Sequence, residues 1–455
     1  MTEETTLLFE KLNHFFENRK FADLRMLLLD MEPADIAGFM EDNLYDKEMI
    51  VFFRLLPKEL ASDVFVEIDY DTQEVLIKAF TDKELKAVID DMYLDDTVDI
   101  IEEMPANVVK RILKNSDPED RKIINQLLEY PDDTAGSIMT TEFISLSSSM
   151  TVEAAFERIR KTGVNKETIY TCYVTDRKKH LIGVVSVKEL LLADKQEFIE
   201  QIMDTNVITV ETLEDKENVA LKFSKYDFIA LPVIDKEGCL VGIVTVDDAV
   251  DVIQEEATED IQKMAAILPN EKPYLKQSVF SIWLARAPWL IFLLITSTFT
   301  SMILSGYEAR LAPVFLAFVP MLMGTAGNAG GQASVTVIRA IAVDDVKFKD
   351  IFKIILKEFA SALLIAISVG LICFAKLMLL DNLFMDPKIT LDQALIVSLV
   401  CVLSIVIAKL IGCTLPLFAK LIKLDPAVVA SPLMTTIVDA LSLLLYCAIA
   451  IAVVP

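Results

Sequence analysis

The stretch PMLMGTAGNAGGQASVTVIRA, Pro320 to Ala340, lies in the most apolar third of the chain, yet it holds four glycines together with Thr325, Asn328, Gln332, Ser334 and Thr336. Backbone at membrane depth must satisfy its own hydrogen bonds, and irregular backbone survives there only where it is buried in protein or lines a wet cavity. The run is therefore expected to loosen a helix at Gly324, Gly327, Gly330 and Gly331, turning carbonyls toward ions or their water. Asn328 and Gln332, one turn apart, would add side-chain oxygens to the same face. The plainer alternative is a small-residue contact between helices, with the amides as interhelical hydrogen bonds.

Working outward, five apolar runs are long enough, or nearly so, to cross a bilayer: roughly residues 281–304, 312–338, 354–380, 391–416 and 426–454. Arg339, Lys347, Lys349, Lys353 and Lys357 follow the second run, and Lys420 and Lys423 follow the fourth. The other two connections, SGYEARL and LLDNLFMDPKITLD, hold only Arg310 and Lys388 as bases. Because Lys and Arg collect in cytoplasmic loops, this alternation predicts a multi-pass protein of the cell membrane with its N-terminus inside and its C-terminus outside. The opening MTEETTLLFEKLNHFF has no basic n-region, apolar h-region or cleavage site, in keeping with an N-terminal part left in the cytoplasm.

Within the last run, SPLMTTIVDALS places Pro432, Thr435 or Thr436, Asp439 and Ser442 at helical spacing. A carboxylate in mid-membrane costs several kcal/mol by most estimates and faces a bundle interior or a water path. Asp439 is thus expected to be a cation site in a pore; a protonated carboxyl bonding between helices is the alternative. No second intramembrane aspartate, Ser-based pair or HExxH accompanies it, and His14 and His180 lie outside the spans. An enzyme is not expected. The six cysteines show no CxxC spacing and read as small core residues of a reducing compartment.

These residues have a family resemblance. PMLMGTAGNAGGQASVTVIRA, ARAPWL at the start of the first span and SPLMTTIVDA in the fifth resemble the MgtE family of magnesium channels, over nearly the whole chain. The resemblance implies a homodimer in membrane lipid, a pore between the two bundles, Mg2+ held by Asp439, and pore-lining residues around Gly324, Thr325, Gly327 and Asn328. The chemistry suits Mg2+, which sheds its waters reluctantly and prefers oxygen ligands in octahedral array.

The first 278 residues differ in kind. Only 10 of the 68 acids lie beyond residue 278, against 12 of the 43 bases, so the front part carries a net charge near −27. That excludes nucleic acid as a partner, since phosphate binding needs a basic face, and it favours cations. Residues 137–191 and 202–253 form an internal repeat: SIMTTEFISLSSSMTVEAAFERI parallels QIMDTNVITVETLEDKENVALKF, and YTCYVTDRKKHLIGVVSVKELL parallels FIALPVIDKEGCLVGIVTVDDAV. The copies resemble a tandem pair of CBS domains, modules that commonly bind adenine nucleotides or ions. By that resemblance Thr245 and Asp248 match positions that often hold ribose and phosphate, so ATP and a purely structural pair are both open readings.

From Phe21 to Asp133 short amphipathic helices open at MEPAD, LPKEL, FTDKE, MPANV and DPED, with Pro or Asp at their starts, predicting an all-α superhelix. Acids crowd DDMYLDDTVD, where Asp95 and Asp99 share a helix face, and VDDAVDVIQEEATED, with Asp248, Asp251, Glu256, Glu259 and Asp260. Like charges three and four apart weaken a helix unless neutralised; a divalent cation and a solvated acidic face are the two readings. The MgtE resemblance implies regulatory Mg2+ at these positions and at Glu217 and Asp227.

The expected architecture is an acidic helical domain (1–133), an α/β tandem CBS pair (134–253), an amphipathic connecting helix (248–270) and a five-helix transmembrane bundle (279–455). The expected function is a Mg2+ channel that cytoplasmic Mg2+ closes. The alternatives are a cation-coupled exchanger for Mg2+, Co2+ or Mn2+, and a membrane-tethered nucleotide or ion sensor.

Overall fold

The computed structural model describes residues 3–270, 272, 274–343, 346, 348–384, 388–430 and 432–453. Lys347 of the basic junction, Asp386 of an outer connection and Ser431 of the fifth-span motif lie outside them. The chain divides into two compact units, residues 1–253 and 254–455.

The first unit begins with ten helices between Glu3 and Leu127. Local chemistry sets their starts: Pro33 and Pro118 occupy first-turn positions, where a missing N–H costs nothing, and Asp69 and Thr81 cap with their side chains. Helices two apart in sequence pack on one another, Pro33–Asn43 on Lys58–Val66, then on Asp82–Ile89, then on Ala106–Asn115. Ion pairs run with the same step: Arg54 to Glu84, Lys86 to Asp117 and Arg111 to Asp82 are 30, 31 and 29 residues apart. A two-helix repeat of about 30 residues therefore builds the expected superhelix. Its core holds Phe39, Phe52, Phe53, Phe65 and Phe80 in ring contact.

The CBS pair supplies two three-stranded sheets. In the first, β1 (Ser145–Ser147) runs parallel to β2 (Thr171–Thr175), which is antiparallel to β3 (Leu181–Ser186). In the second, β4 (Val210–Glu211), β5 (Ala230–Ile234) and β6 (Leu240–Thr245) repeat the pattern. Val174 pairs with Gly183 and Val233 with Gly242, and the register slips at the next residue in both sheets. The copies also exchange their leading segments: a Cβ on Gly183 would lie 2.8 Å from the sulfur of Met203, and one on Gly242 would lie 2.7 Å from that of Met139.

Helix Val246–Met264 starts in the first unit and ends in the second. Five helices follow that are long and apolar enough to cross a membrane: Val279–Glu308, Pro313–Ala342, Ile351–Phe384, Leu391–Leu421 and Leu433–Val453. The last four pack together, and the first lies against the fifth without burying any residue fully. The Tyr446 hydroxyl donates to the carbonyl of Phe315 at 2.7 Å and pins the fifth span to the first turn of the second. Lys409, almost fully buried in the fourth span, meets Glu358 of the third at 2.9 Å. Pairing is what makes two charges tolerable there.

The glycine-rich stretch departs from expectation. Val319–Ala342 is one continuous α-helix, with no break at any of its four glycines. The plainer reading accounts for one of them: a Cβ on Gly412 of the fourth span would collide with the carbonyl oxygen of Gly330, and one on Gly330 would lie 3.0 Å from the carbonyl of Ala408. Close approach of two backbones, rather than an unwound helix, is what these glycines supply.

Candidate functional site

Two places gather the chemistry, one in each unit. In the membrane bundle, Asp439 sits one helical turn beyond Thr435, half-buried on helix Pro432–Val453. A Cβ on Gly327 would lie 3.8 Å from Asp439 Oδ1 and 3.7 Å from Thr435 Cγ2. A Cβ at Gly327 would thus meet the carboxylate in ordinary van der Waals contact, and the glycine leaves that space beside it open. Gly324 and Asn328 are exposed on that span, with nothing within 4 Å of a Cβ on Gly324. Gln332, four residues beyond Asn328, continues the same exposed face. Thr325 returns its hydroxyl to the carbonyl of Met321 at 2.8 Å. Ser442, next along the polar stripe, is buried with its Oγ unpaired.

In the first unit two helix starts bring their acids together. Asp95 and Asp96 occupy the first turn of Leu94–Glu103, and the N–H of Leu94 donates to Glu142 Oε2 at 3.1 Å. Asp247 and Asp248 occupy the first turn of Val246–Met264, where the Thr245 hydroxyl donates to Asp248 Oδ2 at 2.5 Å. Helix N-termini favour carboxylates, but here they concentrate too many. Burial, then the charges of Asp95, Asp248 and other acids, pushes Asp96 to about 8. Glu167 rises to about 9 through burial and the charges of Asp95 and Asp247. Asp248 rises to about 7 through burial and Asp95, and Asp95 to about 6, mainly through burial. Asp99, at the solvent edge, is raised to about 8 by desolvation from packed neighbours and then by Asp95, Asp248 and Asp96.

Asp95 Oδ1 and Glu167 Oε2 are buried without a hydrogen-bond partner. Unpaired buried oxygens in a negative field fit a cation. A cavity of about 620 Å3 lined by Asp63, Asp91, Asp120 and Glu142 adjoins the same residues. Among the described residues no three His, Cys, Asp or Glu side chains are close enough to hold one metal ion directly, so the arrangement suits a hydrated ion.

Of the acids expected from sequence, Asp95, Asp99 and Asp248 come together. Asp251 instead faces Glu67, whose carboxyl is raised by burial and by Asp251. Glu217 lies in the first turn of Lys216–Tyr226, and Asp227 ends that helix in a left-handed conformation; both are exposed. Glu256 lies farther along the long acidic helix. In the second unit Lys263 bridges Glu259 and Asp425, at 2.8 Å from each, and Asp260 is raised by burial and by Asp425. Sequence reasoning missed Glu142, Glu167 and Asp425, which sit outside any acidic run; only packing brings them in.

Comparison with known proteins bears on the family and the domains. Residues 31–133 match the family described as the MgtE intracellular N domain, 135–195 and 199–255 match CBS domains, and 319–449 match the family described as divalent cation transporter. The magnesium transporter MgtE of Thermus thermophilus is 36% identical over 433 residues, covering 94% of each chain. That of Bacillus subtilis is 30% identical, over 95% of this chain and 94% of the relative. The chain belongs to the MgtE family. The crystal structure of the cytosolic domain of the Mg2+ channel MgtE in complex with ATP aligns over 54% of this chain and 99% of its own, at 34% identity and a TM-score of 0.51. Membership of this family and the five apolar helices make the chain a multi-pass membrane protein.

Proposed function

We propose that this MgtE-family chain conducts Mg2+ through a homodimeric pore, with Asp439 as the ion-selecting carboxylate, and that cytoplasmic Mg2+ closes it. The supporting observation is the placement of Asp439 opposite Gly327, whose missing side chain leaves open the space beside the carboxylate. Among the described residues this acid has no basic partner comparable to Lys409 for Glu358, and exposed Gly324 and Asn328, with half-buried Thr325 between them, continue along the second span. A hydrated Mg2+ needs oxygen acceptors for its own water rather than a tight cage. Two symmetry-related copies of this face would provide them. The basic junctions after the second and fourth spans support an inside N-terminus.

Regulation follows from the acidic field. With little Mg2+ present, like charges around Asp95, Asp99 and Asp248 repel and the cytosolic part loosens. With Mg2+ bound there, and at Glu217, Asp227, Asp251, Glu256, Glu259 and Asp260, a compact closed form is favoured. Ions shift such an equilibrium only by binding one state more tightly. ATP remains the nucleotide for the CBS pair, but its phosphates would meet several carboxylates at Thr245 and Asp248. We therefore assign Asp248 to the cation.

The test is Mg2+ uptake into liposomes at low and high internal Mg2+, for wild type and Asp439→Ala. Loss of flux in the variant, with shut-off of the wild type at high internal Mg2+, is the expected result; a variant that still conducts selectively would overturn the pore assignment.

A further inference from the structure

The connection between the acidic helix and the first span encloses a cavity of about 400 Å3. Its walls include Thr258 and Gln262 from the helix, Lys272 and Tyr274 from the connection, and Ile282 and Arg286 from the span. Hydrogen bonds hold it in shape. Gln262 Oε1 accepts from the N–H of Asn270 at 2.8 Å, Asn270 Nδ2 reaches Ser281 Oγ at 3.0 Å, and the N–H of Leu268 donates to the carbonyl of Ala285 at 2.9 Å. Pro288 lies inside the spanning helix just after that point. A proline disturbs the carbonyls one turn before it, which leaves the backbone here open to an outside donor.

The amides around this cavity are occupied by its own walls, but Arg286 has no hydrogen bond or ion pair among the described residues. A guanidinium has five donors and suits phosphate in particular. Tyr274 lines the cavity too, and exposed Leu275, Phe280 and Trp283 stand next to its walls in sequence, the aromatic and apolar set found where a membrane meets water. The cavity thus places an exposed guanidinium at the rim of a mainly apolar pocket, at the end of a lipid-spanning helix.

We propose that it binds the phosphate headgroup of an anionic glycerophospholipid, with Arg286 on the phosphate and the acyl chains along the first span. The lipid would join the end of the acidic helix to the start of that span, because both contribute walls. This site does not depend on which ion the protein carries.

The chain contains two tryptophans, Trp283 and Trp289, both beside Arg286 in sequence, so their fluorescence reports on the site. Full-length protein is reconstituted in phosphatidylcholine bilayers containing either brominated phosphatidylglycerol or brominated phosphatidylcholine with the same acyl chains. The anionic lipid should quench at a mole fraction roughly fivefold lower, the factor that about 1 kcal/mol per basic residue provides. Arg286→Gln should remove the difference and Arg286→Lys should keep most of it. Equal quenching by the two lipids in wild type, which needs no variant, would overturn the proposal, as would an unchanged preference in Arg286→Gln. Inorganic phosphate that abolished the preference where chloride of equal ionic strength did not would show that the site takes free phosphate, and would overturn it too.

Discussion

Asp439 and the group around Asp248 are both carboxylates crowded by protein, and they are arranged in opposite ways. Among the described residues no second acid acts on Asp439, which faces Gly327 next to Thr435. Asp248 stands with other acids: its carboxyl is raised by burial and then by Asp95, while Asp96, Asp99 and Glu167 are raised by burial and then by Asp95 and further acids that include Asp248. A single charge in a pore can attract an ion and still release it, since binding must be weak enough to permit exit. A field of acids stores repulsion that a cation relieves, as a sensor requires. On the proposed function, the same residue type would serve conduction in one unit and response in the other.

The largest effect should come from the isolated carboxylate. Asp439→Ala is expected to lower Mg2+ flux by at least tenfold, and Asp439→Asn to do nearly the same; liposome uptake that stayed within twofold of wild type would remove the distinction drawn between the two sites. Next is the packing that holds the second span in place. Gly412→Val forces a side chain into the carbonyl of Gly330, and overpacking of this kind costs about 1–3 kcal/mol or more. A marked fall in the detergent melting temperature should follow, and an unchanged melting curve would show that the two backbones do not meet.

The buried pair offers a third measurement. Lys409→Met leaves Glu358 unpaired, which typically costs about 3–5 kcal/mol, while the double change Lys409→Met with Glu358→Met should recover most of it. Failure of the double variant to recover would mean that the pair does more than neutralise itself.

The acidic field should respond to pH with a definite sign. Carboxyls held at about 6 to 9, above their ordinary value near 4, bind protons more tightly when folded. Their contribution is fully present below about pH 4 and is lost as pH rises through about 6 to 9. The N-terminal unit should therefore melt at a lower temperature at pH 8.5 than at pH 6 without Mg2+, and added Mg2+ should narrow that gap while releasing protons at neutral pH. Asp248→Asn should raise the Mg2+-free melting temperature and weaken the response to Mg2+. The smallest effect is expected at exposed Glu217, where substitution by Gln should change Mg2+ dependence by about twofold or less.

Much of the architecture was legible because it depends on local periodicity. Five long apolar runs have no other way to satisfy their backbones than as buried or membrane helices, and the CBS repeat shows in matching strand patterns that pair at equivalent positions, Val174 with Gly183 and Val233 with Gly242. Asp439 stood out in the sequence too, because a lone Asp in an apolar helix is conspicuous. The state of Pro320–Ala340 was not. Glycine permits both an unwound segment and a tightly packed helix, and the choice was made by Gly412 and Ala408 of a helix about 80 residues away. Lys409 and Glu358, 51 residues apart, likewise find each other only in the folded bundle.

The sequence by itself determined which segments enter the membrane, where the acids are dense and that one aspartate lies deep in the last span, since composition and spacing are properties of the chain alone. Only the tertiary structure decided that Asp439 faces Gly327, that Glu142 and Glu167 join Asp95 and Asp248, and that Arg286 has no partner among the described residues beside a cavity. Those are meetings between distant residues, and burial and charge acquire their magnitudes only when such residues are brought into contact.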